Sequence, residues 1–341
     1  MKILGIETSC DDTAAAVIEN GSTIHSNVVL SQDSIHARFG GIVPETAARQ
    51  HFTTIFPVVS RSLEIAGIEL GHLDAVAVTN GPGLAGSLIV GVNAAKGLAL
   101  GSALPFVGVN HLEGHIYAAW LEDLDPGKDP GFPIICLVTS GGHTDLIFME
   151  GHGRFTLIGR TRDDAAGEAF DKAARVLGLG FPGGPAIQHI AESSTGEKDR
   201  FPRPKVKDSM DFSFSGLKTA LVRRAEKKGI YPQISKEDFN ASQVADMASD
   251  FQEAVVDCLV KQTLEVAKLF KVKGVLLGGG VAANKLLRDE MVKRSPVRVV
   301  MPKPTFCTDN AAMIGAAAYF DLRNGVRHEW DLDVIPNLKL G

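Results

Sequence analysis

The chain has 341 residues, 45% hydrophobic and 22% charged, with 36 glycines and a net charge of −5. That is enough for two ordinary domains with sizeable cores, and the acidic balance argues against gripping nucleic acid by overall charge, though not against a local basic patch. Four cysteines, Cys10, Cys136, Cys258 and Cys307, show no C-x-x-C spacing, which argues against a disulfide framework or a zinc ribbon.

At the N-terminus, Met1-Lys2-Ile3-Leu4-Gly5-Ile6-Glu7 meets a charge before any signal-peptide core could form, so a cytoplasmic, soluble protein is expected. Residues 3–18 read as an apolar strand, a polar turn holding Asp11 and Asp12, and a second apolar strand closed by Glu19-Asn20-Gly21. Residues 74–83 form a buried strand running into a glycine turn, with a helix predicted from about Gly86 to Leu100. The long apolar region 83–109 is broken by Asn93, Lys96 and Pro105, so it predicts a buried helix and a strand rather than a membrane span.

His111-Leu-Glu-Gly-His115 follows. Histidines at i and i+4 lie about 40° apart on a helix and can reach one metal ion. In the zinc-protease pattern H-E-x-x-H the glutamate directly follows the first histidine. Glu113 instead sits midway, roughly 160–200° around the helix from each histidine, and points away from their metal. Taken alone, the pair also suits helix capping or a polar pocket.

Residues 134–148 repeat the plan of residues 3–18, again with Thr-Ser at the start of the turn and a threonine at its exit. Residues 198–228 hold ten Lys or Arg against four Asp or Glu, a local balance of +6. Pro202 and Pro204 predict an extended loop there, and residues 215–228 an amphipathic helix. A solvated surface and a nucleic-acid contact are both open readings of this stretch. Residues 252–270 predict a core helix, and residues 274–284 another buried strand running into glycines, with a helix from Asn284 on.

The four elements of the first half thus recur in order in the second. Two such halves would point two hairpin tips and a glycine-led helix N-terminus, with free backbone N–H groups for phosphate, into one cleft. This layout resembles the actin-like ATPase superfamily, an α/β fold of two duplicated lobes around a central cleft. The lobes would be residues 1–131 plus 304–341, carrying the histidine pair, and residues 132–303, carrying the substrate loops and the basic insertion 198–228.

The motifs Gly5-Ile-Glu-Thr-Ser-Cys-Asp-Asp-Thr13, Asn110-His-Leu-Glu-Gly-His115, Thr139-Ser-Gly-Gly-His-Thr144, Asp163-Asp-Ala-Ala-Gly-Glu-Ala-Phe-Asp-Lys172, Phe181-Pro-Gly-Gly-Pro185, Asp211-Phe-Ser-Phe-Ser-Gly-Leu-Lys218, Gly278-Gly-Gly-Val-Ala-Ala-Asn284 and Phe306-Cys-Thr-Asp-Asn310 occur in order. Together they resemble the TsaD family of tRNA N6-adenosine threonylcarbamoyltransferases, once regarded as sialoglycoprotein endopeptidases, over almost the whole chain. The resemblance implies transfer of a threonylcarbamoyl group from threonylcarbamoyl-AMP to N6 of the adenosine 3′ of the anticodon (position 37) in tRNAs reading ANN codons, with release of AMP. It implies one divalent metal per subunit, Fe(2+) ahead of Zn(2+), on His111, His115 and Asp309. Helix capping is the ordinary alternative for Asp309.

Further expectations carry over residue by residue. Val138, Thr139, Ser140, Gly141 and Gly142 resemble the loop beside metal and acyl phosphate. Asp171 and Gly184 resemble the nucleoside contacts, and Asn284 the contact at the glycine-led helix. ATP or AMP binding belongs to the same expectation. The expected partners are tRNA, a TsaB-like paralogue forming a heterodimer, and a TsaE-like ATPase. Asp11 and Asp12 are the candidate bases for the attacking amine. Two departures stand out: Asp12 occupies a position where many members have glutamate, and Gln188 one where many have an acidic residue. The rival readings are a metal-dependent glycopeptidase, an actin-like small-molecule kinase and a non-catalytic scaffold.

Overall fold

Lys2–Glu7 (β1) is buried at five of its six positions, as expected of a central strand covered on both faces. It pairs antiparallel with Asp12–Glu19 (β2) and parallel with Ala75–Gly81 (β4). Thr23–Ser31 (β3) and Phe106–Asn110 (β5) complete a sheet of order β3-β2-β1-β4-β5. Short Asp33–His36 (α1) leads to Pro44–Ala66 (α2), and Ala85–Gly101 (α3) and His111–Tyr117 (α4) follow β4 and β5.

The second sheet repeats the first. Ile134–Thr139 (β6) pairs antiparallel with Thr144–Gly151 (β7), which is flanked by Arg154–Arg160 (β8). Helices Ala166–Val176 (α5), Gly183–Ala191 (α6), Ser215–Lys227 (α7) and Ala241–Leu269 (α8) precede Gly274–Gly278 (β9), which runs parallel to β6. Lys285–Arg294 (α9) and Arg298–Val300 (β10) finish a sheet of order β10-β9-β6-β7-β8, and Ala311–Arg323 (α10) returns to the first sheet.

The computed structural model describes residues 1–122, 131–196, 199–232 and 240–341. Two compact units emerge: Met1–Asp129 with Glu150–Phe155 and Pro302–Gly341, and Pro130–Met149 with Thr156–Met301. In the first unit, Leu4 and Ile6 of β1 join Val76, Val78, Val92 and Ile55 in one core cluster under α2 and α3. The other face of β1 lies so close to α10 that a Cβ on Gly5 would stand 2.3 Å from the Ala311 carbonyl oxygen. That tight seat fixes the start of α10, and with it Asp309. Among the described residues no helix is long and apolar enough to cross a membrane.

Candidate metal centre

Helix α4 begins directly after β5. Asn110 caps it, its side chain accepting from Leu112 N–H at 2.9 Å. His111 is therefore the first helical residue and His115 stands one turn on, with ring centroids 4.6 Å apart and nearly perpendicular. The cap of α10 is Asn310, whose side chain accepts from Met313 N–H at 3.0 Å. Capping is thus not the task of Asp309. Its carboxylate stands 3.5 Å from His111 Nε2 and 3.3 Å from His115 Nε2. One ligand atom from each of the three residues lies within 4.8 Å of the other two.

Glu7 stands behind this trio, fully buried at the end of β1. His111 Nδ1 lies 3.1 Å from its carboxylate, which also accepts from Thr79 Oγ1 at 2.6 Å and from Ser9 N–H. A proton donated from Nδ1 to Glu7 leaves Nε2 with its lone pair toward Asp309, the outer-shell arrangement that orients a metal-binding imidazole. His115 is fully buried, its Nε2 facing Asp309 and its Nδ1 making no hydrogen bond among the described residues. A buried imidazole nitrogen aimed at a carboxylate and a second imidazole is a costly arrangement that a metal ion at Nε2 would satisfy. Burial alone would lower the pKa of His111, but the charges of Asp309 and Glu7 outweigh it and lift it to about 9. Burial lowers that of His115, and the charge of His111 acts in the same direction. The donor set of two imidazoles and one carboxylate fits a divalent transition metal. Glu113 is absent from the centre and faces Asp321 instead; burial and that second acid push its carboxyl well up.

The β1–β2 tip carries the two candidate bases in the same unit. Burial first, and the charge of Asp309 second, raise Asp12 to about 7 and shift Asp11 upward. Asp12 Oδ1 is buried without a hydrogen-bond partner among the described residues. His51 of α2, not anticipated from the sequence, holds this tip: its Nε2–H donates to the Cys10 carbonyl at 3.0 Å and its Nδ1 meets Thr13 Oγ1 at 2.8 Å. Both unanticipated residues carry a sequence signal. Glu7 is a carboxylate closing an apolar strand, and His51 falls at an inward position of α2 between Ala47 and Ile55.

The remaining candidates lie in the second unit. Val138 and Thr139 are fully buried in β6, and Thr139 Oγ1 makes no hydrogen bond among the described residues. Ser140 N–H donates to the His143 carbonyl at 2.8 Å and Ser140 Oγ accepts from His143 N–H at 3.2 Å. Gly141 and Gly142 stand open, with nothing within 4 Å of where a Cβ would be. Asp171 accepts from Gly183 N–H at 2.7 Å, at the head of α6, and Gly184 beside it is likewise open. Asn284 is committed locally: it caps α9 through Leu287 N–H at 3.0 Å and donates to Gln252 at 2.9 Å. Gln188 accepts from Lys285 N–H at 2.8 Å, which ties α6 to α9.

In the basic window, Lys198 lies outside the described residues. Arg203 pairs with Asp257 and Glu253, and Lys205 with Glu265. Arg224 stacks 3.6 Å over Phe201 and pairs with Asp199, so it braces α7 rather than facing outward as a free cation. Arg223 and Lys227 are exposed.

The family model for tRNA N6-adenosine threonylcarbamoyltransferase (TsaD) matches residues 23–316. The chain is 53% identical over 356 residues to the tRNA N6-adenosine threonylcarbamoyltransferase of Thermomicrobium roseum, covering 100% of this chain and 97% of that one. It is also 53% identical over 340 residues to the enzyme of that name from Dehalococcoides mccartyi, covering 100% and 99%. Among solved structures it is similar to HypF of T. kodakarensis, with a TM-score of 0.62 at 14% identity, over 95% of this chain and 48% of that one. That likeness, with the duplicated sheet order, marks the actin-like ATPase fold. Fold, motifs and full-length identity agree: the chain belongs to the tRNA N6-adenosine threonylcarbamoyltransferase (TsaD) family.

Proposed function

We propose that this chain transfers the threonylcarbamoyl group of threonylcarbamoyl-AMP to N6 of adenosine 37 in tRNAs that read ANN codons, releasing AMP. The observation that carries this reading is the convergence of His111, His115 and Asp309 in a chain of this family. An adenine N6 amine is a weak nucleophile because its lone pair is delocalised into the ring, so the acyl donor must be activated. The mixed anhydride supplies a good leaving group. A divalent ion, Fe(2+) on our reading, held by His111, His115 and Asp309 would supply Lewis-acid polarisation and a template for the carbamate oxygens. Glu7 and Ser9 hold the His111 ring from behind. Asp12, raised to about 7, is suited to accept the amine proton at neutral pH as the C–N bond forms, with Asp11 beside it. Ser140 N–H is engaged by His143, which leaves the N–H groups of Gly141 and Gly142 to receive charge growing on the departing phosphate. Asp171 would hold ribose hydroxyls through its second oxygen.

Exposed Arg223 and Lys227 on α7 are our candidate tRNA contacts. A TsaB-like paralogue would cover the apolar outer face of α2, where Phe52 is 75% and Phe56 55% exposed. A TsaE-like ATPase completes the proposed assembly in the cytoplasm. The peptidase reading is disfavoured because Glu113 faces Asp321, away from the ligand trio.

The test is nucleoside mass spectrometry of tRNA from cells depleted of this protein and rescued with wild type or His111→Ala. Threonylcarbamoyladenosine restored by wild type alone supports the transferase and its clamp. Full modification despite depletion overturns the reading.

A further inference from the structure

On the face of α4 turned away from the histidines, the first unit contains a cavity of about 430 Å³. Glu113 and Asp321 line it, together with Phe155, Leu332 and Leu338. Glu113 is only 7% exposed, and its Oε1 makes no hydrogen bond among the described residues. His328, also in the lining, accepts from Gly108 N–H through Nδ1 at 3.1 Å, so the neutral ring carries its proton on Nε2. Lys339 lines the cavity but forms no ion pair with either acid among the described residues. Two carboxyls therefore share a half-apolar cavity, and among the described residues no cation pairs with them. Burial pushes the Asp321 carboxyl up to about 6.

We propose that this cavity is a second binding site, for a small aliphatic cation with an ammonium or guanidinium head. The head lies between Glu113 and Asp321, and the methylenes lie against Phe155, Leu332 and Leu338. Such a head donates to Glu113 Oε1 and cancels the repulsion of the two acids in one step. A bare metal ion fits less well. Among the described residues the ligand trio that converges is His111, His115 and Asp309, and no such trio forms at Glu113, Asp321 and His328. A bare ion would also leave the apolar wall uncovered.

The experiment is calorimetric titration of the full-length protein with agmatine, which carries a guanidinium and an ammonium on one aliphatic chain. Binding at one site per chain is expected, weakened about ten- to a hundredfold by Asp321→Asn and by Glu113→Gln, as loss of a charge-assisted hydrogen bond implies. Leu338→Trp, which fills the cavity and leaves both acids in place, is expected to abolish binding. Absence of binding at millimolar agmatine overturns the proposal. So does wild-type affinity in Leu338→Trp or in both acid variants. If Mg²⁺ displaces agmatine and itself loses binding in the acid variants, the site takes an inorganic cation and the aliphatic class is wrong.

Discussion

The β1–β2 and β6–β7 tips occupy equivalent places in two sheets of the same order, and each opens with Thr-Ser and closes with Thr. The first tip is closed and acidic. It holds Glu7, Asp11 and Asp12 beside the histidine pair, and His51 pins its backbone. The second is open, with Gly142 and His143 where the first tip has Asp11 and Asp12, and with Gly141 and Gly142 exposed. One backbone plan thus yields carboxylates beside the candidate metal ligands in one copy and open glycine backbone in the other. The difference lies in side chains and not in topology, so exchanging side-chain chemistry at each tip is the way to probe it.

The largest effect is expected from Asp309→Ala, which removes the one carboxylate among the three candidate ligands. Metal bound after purification, measured by elemental mass spectrometry, should fall to a trace with transferase activity lost. Retained metal would mean that His111, His115 and Asp309 are not the residues that hold it. Glu7→Gln is expected next, lowering metal affinity about 10–100-fold while the fold persists. Its control is Thr139→Val at the other tip, which should leave metal content unchanged; a drop there would erase the contrast between the tips.

Asp12 sharpens the comparison through pH. Its folded pKa is about 7 against an ordinary 3.8. Between those values the folded state holds a proton that the unfolded chain has lost, so stability falls as pH rises through that window. Asp12→Asn removes the slope. In metal-free protein the Tm gap, mutant minus wild type, should be near zero at about pH 4 and positive at about pH 8. A gap independent of pH would show that Asp12 titrates normally. For the same reason wild-type activity should rise through about pH 7, as a base loses its proton. The smallest stability effect belongs to Gly141→Ala, within about 0.5 kcal/mol by denaturant melts because its Cβ meets nothing. Its effect should appear in the affinity for AMP.

The buried strands β1, β4, β6 and β9 were legible as unbroken apolar runs, and the i, i+4 histidines as a pair on one helix face. Edge strand β3, Thr-Ile-His-Ser-Asn-Val-Val-Leu-Ser, mixes polar and apolar residues because it is only partly covered, so no period marks it. Asp309 could be reached only through the family resemblance, since no local spacing links it to a helix far away in sequence. Glu7 and His51 were readable in principle as polar residues at inward positions, but their partners come from other elements. Asn284 was readable as a helix cap, as it proves to be, but its bond to Gln252 and the packing of Arg224 were invisible for the same reason. That bond and the stack on Phe201 exist only once α8, α9 and the loop before α7 are packed.

The bracing of Arg224, Arg203 and Lys205 also bears on ionic strength. Three of the window's basic residues already have carboxylate counter-charges, so they release no counterions when RNA arrives. The salt dependence of tRNA binding by this chain alone should therefore reflect only the exposed cations of the window. Its log–log slope should be shallow beside that of a basic RNA-binding domain, and affinity should persist at salt concentrations that would strip such a domain from its RNA.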